Sequence, residues 1–142
     1  MIDIENKVLN DVFAAVRSAY PDCQCYGEYV AVPAAFPCIC IYEASNSTYR
    51  RSQDTDLQEH QANLMYECNV YSDKATGKKT EARSIAKLVD ETMQDMKFTR
   101  TFFQSLPNLD RTIYRITLRW EAVAGEPIVT DSGNVTYQMY RE

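Results

Sequence analysis

"ANLMYECNVYSDKATGKKTEARSIAKLVDETMQDM", residues 62–96, changes its hydrophobic period once, and that change decides the fold class. Ala62, Leu64, Tyr66, Cys68 and Val70 alternate with Asn63, Met65, Glu67, Asn69 and Tyr71, the period-two pattern of a strand with one buried face. The run SDKATGK then supplies a turn. From about Thr80 to Met96 the apolar residues Ala82, Ile85, Ala86, Val89, Met93 and Met96 fall on one side of a helix. A one-faced strand followed by a one-striped helix predicts that the stripe lies on that face.

Toward the N-terminus, Val8, Val12, Phe13, Val16 and Tyr20 recur at helical spacing, predicting a helix from Asp3, as N-cap, to Tyr20, ended by Pro21. Cys23 to Val32 reads as a strand around Gly27. Pro33 interrupts it, and Pro37 opens a second strand through Cys38, Ile39, Cys40, Ile41 and Tyr42, the two expected to pair as a hairpin. The polar, aperiodic segment Ala44 to Gln61 is longer than most loops in compact domains, so residues 45–59 are expected to form a long loop that either makes contacts or stays mobile.

Toward the C-terminus, Phe98 to Gln104 predicts a strand and LPNLD a turn. In the next strand Thr112, Tyr114, Ile116, Leu118 and Trp120 alternate with Ile113, Arg115, Thr117, Arg119 and Glu121. Turns are expected at Ala124-Gly125-Glu126-Pro127 and Asp131-Ser132-Gly133-Asn134, before a short strand from Val135 to Tyr140. The order α-β-β-β-α-β-β-β predicts one α+β domain over residues 1–142, a mostly antiparallel sheet with two helices packed on one face. The other face is left for partners.

At 142 residues, 45% of them apolar, the chain can bury one real core. It has no run of roughly 20 apolar residues, and its start lacks the regions of a secretory signal, so the expected setting is cytosolic and not a membrane. A net charge of -5 repels phosphate backbones, which argues against tight nucleic-acid binding.

Five cysteines cannot all pair within the chain, and a cytosolic setting keeps thiols reduced. On strands, Cys23 and Cys25 share a face, as do Cys38 and Cys40, and a hairpin would bring all four together as a possible thiolate metal site. Structural zinc more often uses Cys-x-x-Cys on a tight knuckle, and buried thiols pack as small hydrophobes, so packing is the favoured reading. A thiol enzyme would need a base, and the single histidine, His60, sits in the polar loop. The carboxylates Asp54, Asp56 and Glu59, like Asp90, Glu91 and Asp95, read as solvated faces. No phosphate-binding loop, dinucleotide fingerprint, nucleophile elbow or His-Glu-x-x-His occurs, so neither catalysis nor a cofactor is expected.

Ten tyrosines exceed what strand positions alone require, and tyrosine and arginine favour interfaces. Tyr137 and Tyr140 fall outside the predicted core, as does Tyr49, which precedes the basic pair Arg50-Arg51 in the loop. Arg115 and Arg119 lie on the polar face of their strand. Tyr49, Arg50, Arg51, Arg115 and Arg119 are the candidate contact residues.

Element order and the phrases "YPDCQCYGEYVAVPAAFPCICIYE", "ANLMYECNVYSD", "TGKKTEARSIAKLVDETM" and "RTIYRITLRWEAV" together cover nearly the whole chain. In these it resembles the tail terminator (tail completion, head-tail joining) proteins of long-tailed bacteriophages. The resemblance implies a small α+β virion subunit of the tail-neck region, assembled in the host cytoplasm. It implies a ring, typically hexameric, that caps the tail tube, ends its growth and docks to the head connector, with no cofactor or catalytic set. DNA would pass through such a ring without adhering. A different neck or tail-tube subunit would share these features.

Overall fold

The computed structural model describes residues 1–30, 33–48, 61–107, 110–129, 133 and 135–140. Its elements are α1 (Glu5–Ala19), β1 (Gln24–Tyr26), β2 (Cys38–Thr48), β3 (Gln61–Ser72), α2 (Lys78–Asp95), β4 (Thr99–Leu106), β5 (Tyr114–Val129) and β6 (Val135–Tyr140). They form one sheet in the order β1-β2-β3-β5-β4, with β6 also pairing β5, and every pairing except β1 with β2 is antiparallel.

Alternation places Ala62, Leu64, Tyr66, Cys68 and Val70 of β3 on the same side as Ile116, Leu118 and Trp120 of β5, where all are buried. Both helices cover this side. Val8, Leu9, Val12 and Val16 of α1 and Ala82, Ile85, Ala86, Val89 and Met93 of α2 join one cluster with them. Each large apolar side chain enclosed there contributes about 1.5–3 kcal/mol by leaving water. Ile2 and Ile4, just before α1, enter the same core.

Burial also draws in a charge. Asp90, expected on a solvated helix face, is only 8% exposed. It accepts hydrogen bonds from Trp120 Nε1 (2.9 Å), Gln94 Nε2 (2.7 Å) and Arg100 Nη1 (2.6 Å), tying α2 to β5 and β4. A carboxylate can sit there because these donors replace its water.

Helix ends follow local chemistry. Asp3 is not the N-cap of α1, a position held by Ile4, but its Oδ1 still accepts the Glu5 N–H at 3.1 Å. At the end of α2 the Phe98 N–H bonds Met93 O (3.0 Å) and the Lys97 N–H bonds Gln94 O (2.8 Å), leaving Lys97 at φ 68°. Gly is the usual occupant of that left-handed position.

Three expectations need correction. β1 and β2 are not a hairpin: they run parallel, in the register Gln24↔Cys38, Cys25↔Ile39, Tyr26↔Cys40. The connection from Gly27 to Pro37 is long enough to return the chain to the starting end, and its Val30 and Phe36 pack over Cys38, Cys40 and Tyr71 on the helix-free side. β5 does not turn at Ala124–Pro127 but continues to Val129, its pairing with β6 shifting between Ala124 and Pro127. β3 pairs β5 only as far as Gly125, so among the described residues Pro127 lies on a stretch with one neighbour, where a missing N–H is tolerated. The polar segment also starts later than its composition predicts, because Ser45–Thr48 still pair with β3.

Candidate functional site

The side of the sheet opposite the helices carries the polar residues of the alternating strands. Tyr42 of β2, Glu67 and Asn69 of β3, Arg115, Thr117 and Arg119 of β5 and Phe102 of β4 share it through the ladder pairs Tyr42↔Glu67, Glu67↔Arg119, Asn69↔Thr117 and Phe102↔Arg119. Val30 and Phe36 cover one end of this side, over Cys38, Cys40 and Tyr71.

Two arginines expected to make contacts are held in place here. Arg119 Nε donates to Glu67 Oε1 at 2.8 Å, and its guanidinium lies 5.1 Å from the centre of the Phe102 ring. The Tyr42 hydroxyl donates to the other Glu67 oxygen. Burial alone would raise the Glu67 carboxyl, but hydrogen bonds from Tyr42 and Arg119 and the charge of Arg119 outweigh it and hold it below the usual carboxylate value. Tyr42 is pushed up by burial and by the same bond to Glu67.

Arg115 donates from Nε and Nη2 to Asn69 Oδ1 at 3.0 and 2.9 Å, and Thr117 Oγ1 donates to the same oxygen at 2.7 Å. The Tyr71 ring lies 5.9 Å from the Arg115 guanidinium. Two cations anchored by carboxylate, amide and rings lose little freedom on contact, which suits recognition. The sequence singled out Arg115 and Arg119 but not their anchors Glu67, Asn69, Tyr42 and Phe102; cross-strand register alone brings these together. Tyr49, Arg50 and Arg51 lie outside the described residues.

The cysteines do not converge. Cys25 pairs with Ile39 and faces the helices, where Cys23 is buried, whereas Cys38 and Cys40 face the other side. Parallel register thus separates the two Cys-x-Cys pairs by the thickness of the sheet. No group of three or more metal-ligating side chains occurs among the described residues. Cys25 is the accessible thiol. Its hydrogen bond with Cys23 and the nearby Arg17 lower it to about 7 against the opposing effect of burial, while Cys23 is pushed up.

A groove lined by Ile4, Lys7, Val8, Phe98, Tyr137 and Met139 opens between the start of α1 and β6, spanned by the Tyr137 hydroxyl donating to Asp3 O at 3.2 Å. Its polar side chains are Lys7, Asp95, Lys97, Tyr137 and Gln138. No helix among the described residues is long and apolar enough to cross a membrane.

The chain is a two-helix α+β protein whose most developed polar arrangement is a flat, braced sheet face. The chain matches the family described as "Tail completion protein gp17" over residues 12–125, and it belongs to that phage tail family. It is therefore a structural component of the phage tail, a role that entails contact with other tail or head proteins. No curated protein matches the chain.

Proposed function

We propose that the protein forms a ring on the last ring of the tail tube, ends tube growth there and joins the finished tail to the head. The observation that carries this reading is the helix-free sheet face: both helices are spent on one side, and the other presents Arg115 and Arg119 already braced by Asn69, Glu67, Tyr71 and Phe102. Family membership supplies the setting. A net charge of -5 suits a passage through which DNA moves without sticking.

The loop pair Arg50 and Arg51, with Tyr49 before it, is proposed as a second contact, gaining strength by repetition around the ring. Arg50→Glu with Arg51→Glu leaves the subunit folded and weakens its association with tubes. Co-sedimentation with purified tubes measures this, and unchanged association removes both residues from the contact.

The whole reading is tested by adding the protein to tail tubes assembled without it and imaging them. A disc at one tube end and arrested lengthening are expected. Density distributed along the tube would instead identify a tube subunit, and density on the head side alone a neck subunit.

A further inference from the structure

Crossing the sheet from β4 to β2 at one height meets Arg100, Trp120, Tyr66 and Glu43, consecutive partners in three antiparallel ladders. The row begins on a cation at one edge and ends on a carboxylate at the other. Both charged side chains lie on the helix side. Arg100 donates to Asp90 of α2, and Glu43 accepts from the Tyr66 hydroxyl at 2.8 Å while its backbone N–H bonds Glu5 Oε2 of α1 at 3.3 Å.

Each end has further charge of its own sign beside it, although Arg100 is also paired with the buried Asp90. Beside Arg100, Arg83 of α2 adds a second guanidinium, the two lying 5.8 and 5.2 Å from the Phe103 ring centre. Beside Glu43 stand Glu5 and Asp3. Burial, opposed by hydrogen bonds from Tyr66 and Asn46 and reinforced by the charges of Glu5 and Asp3, raises the Glu43 carboxyl. The imbalance extends beyond these residues. Residues 1–48 hold six carboxylates against two cations, whereas α2 and β4 hold five cations against four carboxylates, one of them the buried Asp90.

Both edges carry backbone that no second described strand pairs, the Glu43 N–H of β2 being held by the Glu5 side chain instead. Among the described residues β4 pairs only with β5, and β1 covers β2 only at Cys38–Cys40. Alternating directions through β2, β3, β5 and β4 make β4 antiparallel to β2. A copy placed alongside by rotation keeps its orientation, so its β2 meets β4 as one more antiparallel neighbour, with its helices on the same side. Without axial slip, Thr99–Phe103 stands level with Ile41–Ser45. Each edge has one bulge, at Arg100/Phe102 and at Glu43/Ser45, on opposite sides of the Arg100–Glu43 row.

We propose that β4 of one copy joins β2 of the next, edge to edge, with Arg83 and Arg100 meeting Glu43, Glu5 and Asp3 across the joint. The occupant is a second copy because the two complementary edges belong to one chain and stand at one height. The joint rests on the ring reading and deepens it: its two sides differ, so it repeats head to tail and either closes into a ring or runs on as a filament.

The test reverses one charge on each edge, the exposed Arg83→Glu and the half-buried Glu5→Arg, leaving Arg100 with its buried partner. Sedimentation and native mass spectrometry, alone and with tail tubes, follow assembly, and thermal melts follow folding. Each single variant is expected to raise the concentration needed for assembly about tenfold or more, and the double variant to restore it to within about threefold. Single variants that assemble like the parent, or a double variant no better than either single, overturn the joint and leave the ring reading standing. A parent protein that forms no ring, alone or on tubes, overturns both. Should a variant fail to fold, the parent's salt dependence decides: weaker assembly between about 50 and about 500 mM salt is expected, and indifference to it refutes the joint.

Discussion

At the scale of single residues, strain and reactivity are concentrated at a few positions. Lys97 holds a positive φ of 68° so that its own N–H and that of Phe98 can close the last turn of α2. A side chain with a Cβ is disfavoured there by roughly 1–2 kcal/mol, a cost partly offset because glycine is freer in the unfolded chain. Lys97→Gly is therefore expected to raise stability by about 0.5–1 kcal/mol, read as a higher urea midpoint with an unchanged slope. Cys25 is the position where reactivity is set apart. With its thiol lowered to about 7 beside Arg17 and the other four cysteines buried, iodoacetamide should modify Cys25 first, its rate rising through a midpoint near pH 7. Peptide mapping after brief labelling reads the order, and equal rates at all five sites would refute it.

At the scale of elements, what could be read locally was legible and what depended on distant partners was not. β3 and α2 emerge as expected because ten alternating residues and six at helical spacing each admit one period, and the residues expected on the inner face of β3 are buried. The polar face with Arg115 and Arg119 was legible for the same reason. The pairing of β1 with β2 was not, since Cys23–Tyr42 fits a hairpin and a parallel return equally well, and Val30 and Phe36 decide by covering Cys38, Cys40 and Tyr71. Nor was the continuation of β5, because Gly125 and Pro127 look like a turn unless β6 is known to pair across them. Asp90 looked solvated until Trp120, thirty residues away, supplied its donor. The parallel return predicts that Phe36 works as a cover: Phe36→Ala should expose Cys38 and Cys40 to maleimide while leaving Cys23 and Cys68 protected, since only the former lie beneath it. Labelling that rises equally at all four would point to general loosening.

At the scale of the whole molecule, one side of the sheet supplies stability and the other, with its edges, is the side proposed to make contacts, so conditions that disturb the outer face should change assembly before they unfold the protein. Glu67 is where acid acts on that face. Its carboxyl is held below the usual value in the folded chain, so its contribution is fully present above the unfolded carboxylate range and is lost as pH falls through the lower folded value. Protonation there removes the acceptor charge that holds Arg119 and leaves the guanidinium resting on Phe102 alone. Glu67→Gln should consequently reproduce at neutral pH what acid does to the parent. At pH 7 the variant is expected to be less stable than the parent by on the order of 1 kcal/mol, discounted because Arg119 is half exposed, and the difference should shrink as pH falls below the unfolded carboxylate range and through the lower folded value. Urea midpoints for the two proteins across that range check the sign, and binding to tail tubes should weaken at neutral pH for the variant while the helix-side core, followed by Trp120 fluorescence, stays intact. A stability gap that persists at low pH would mean that packing at this position, not the ion pair, braces the face.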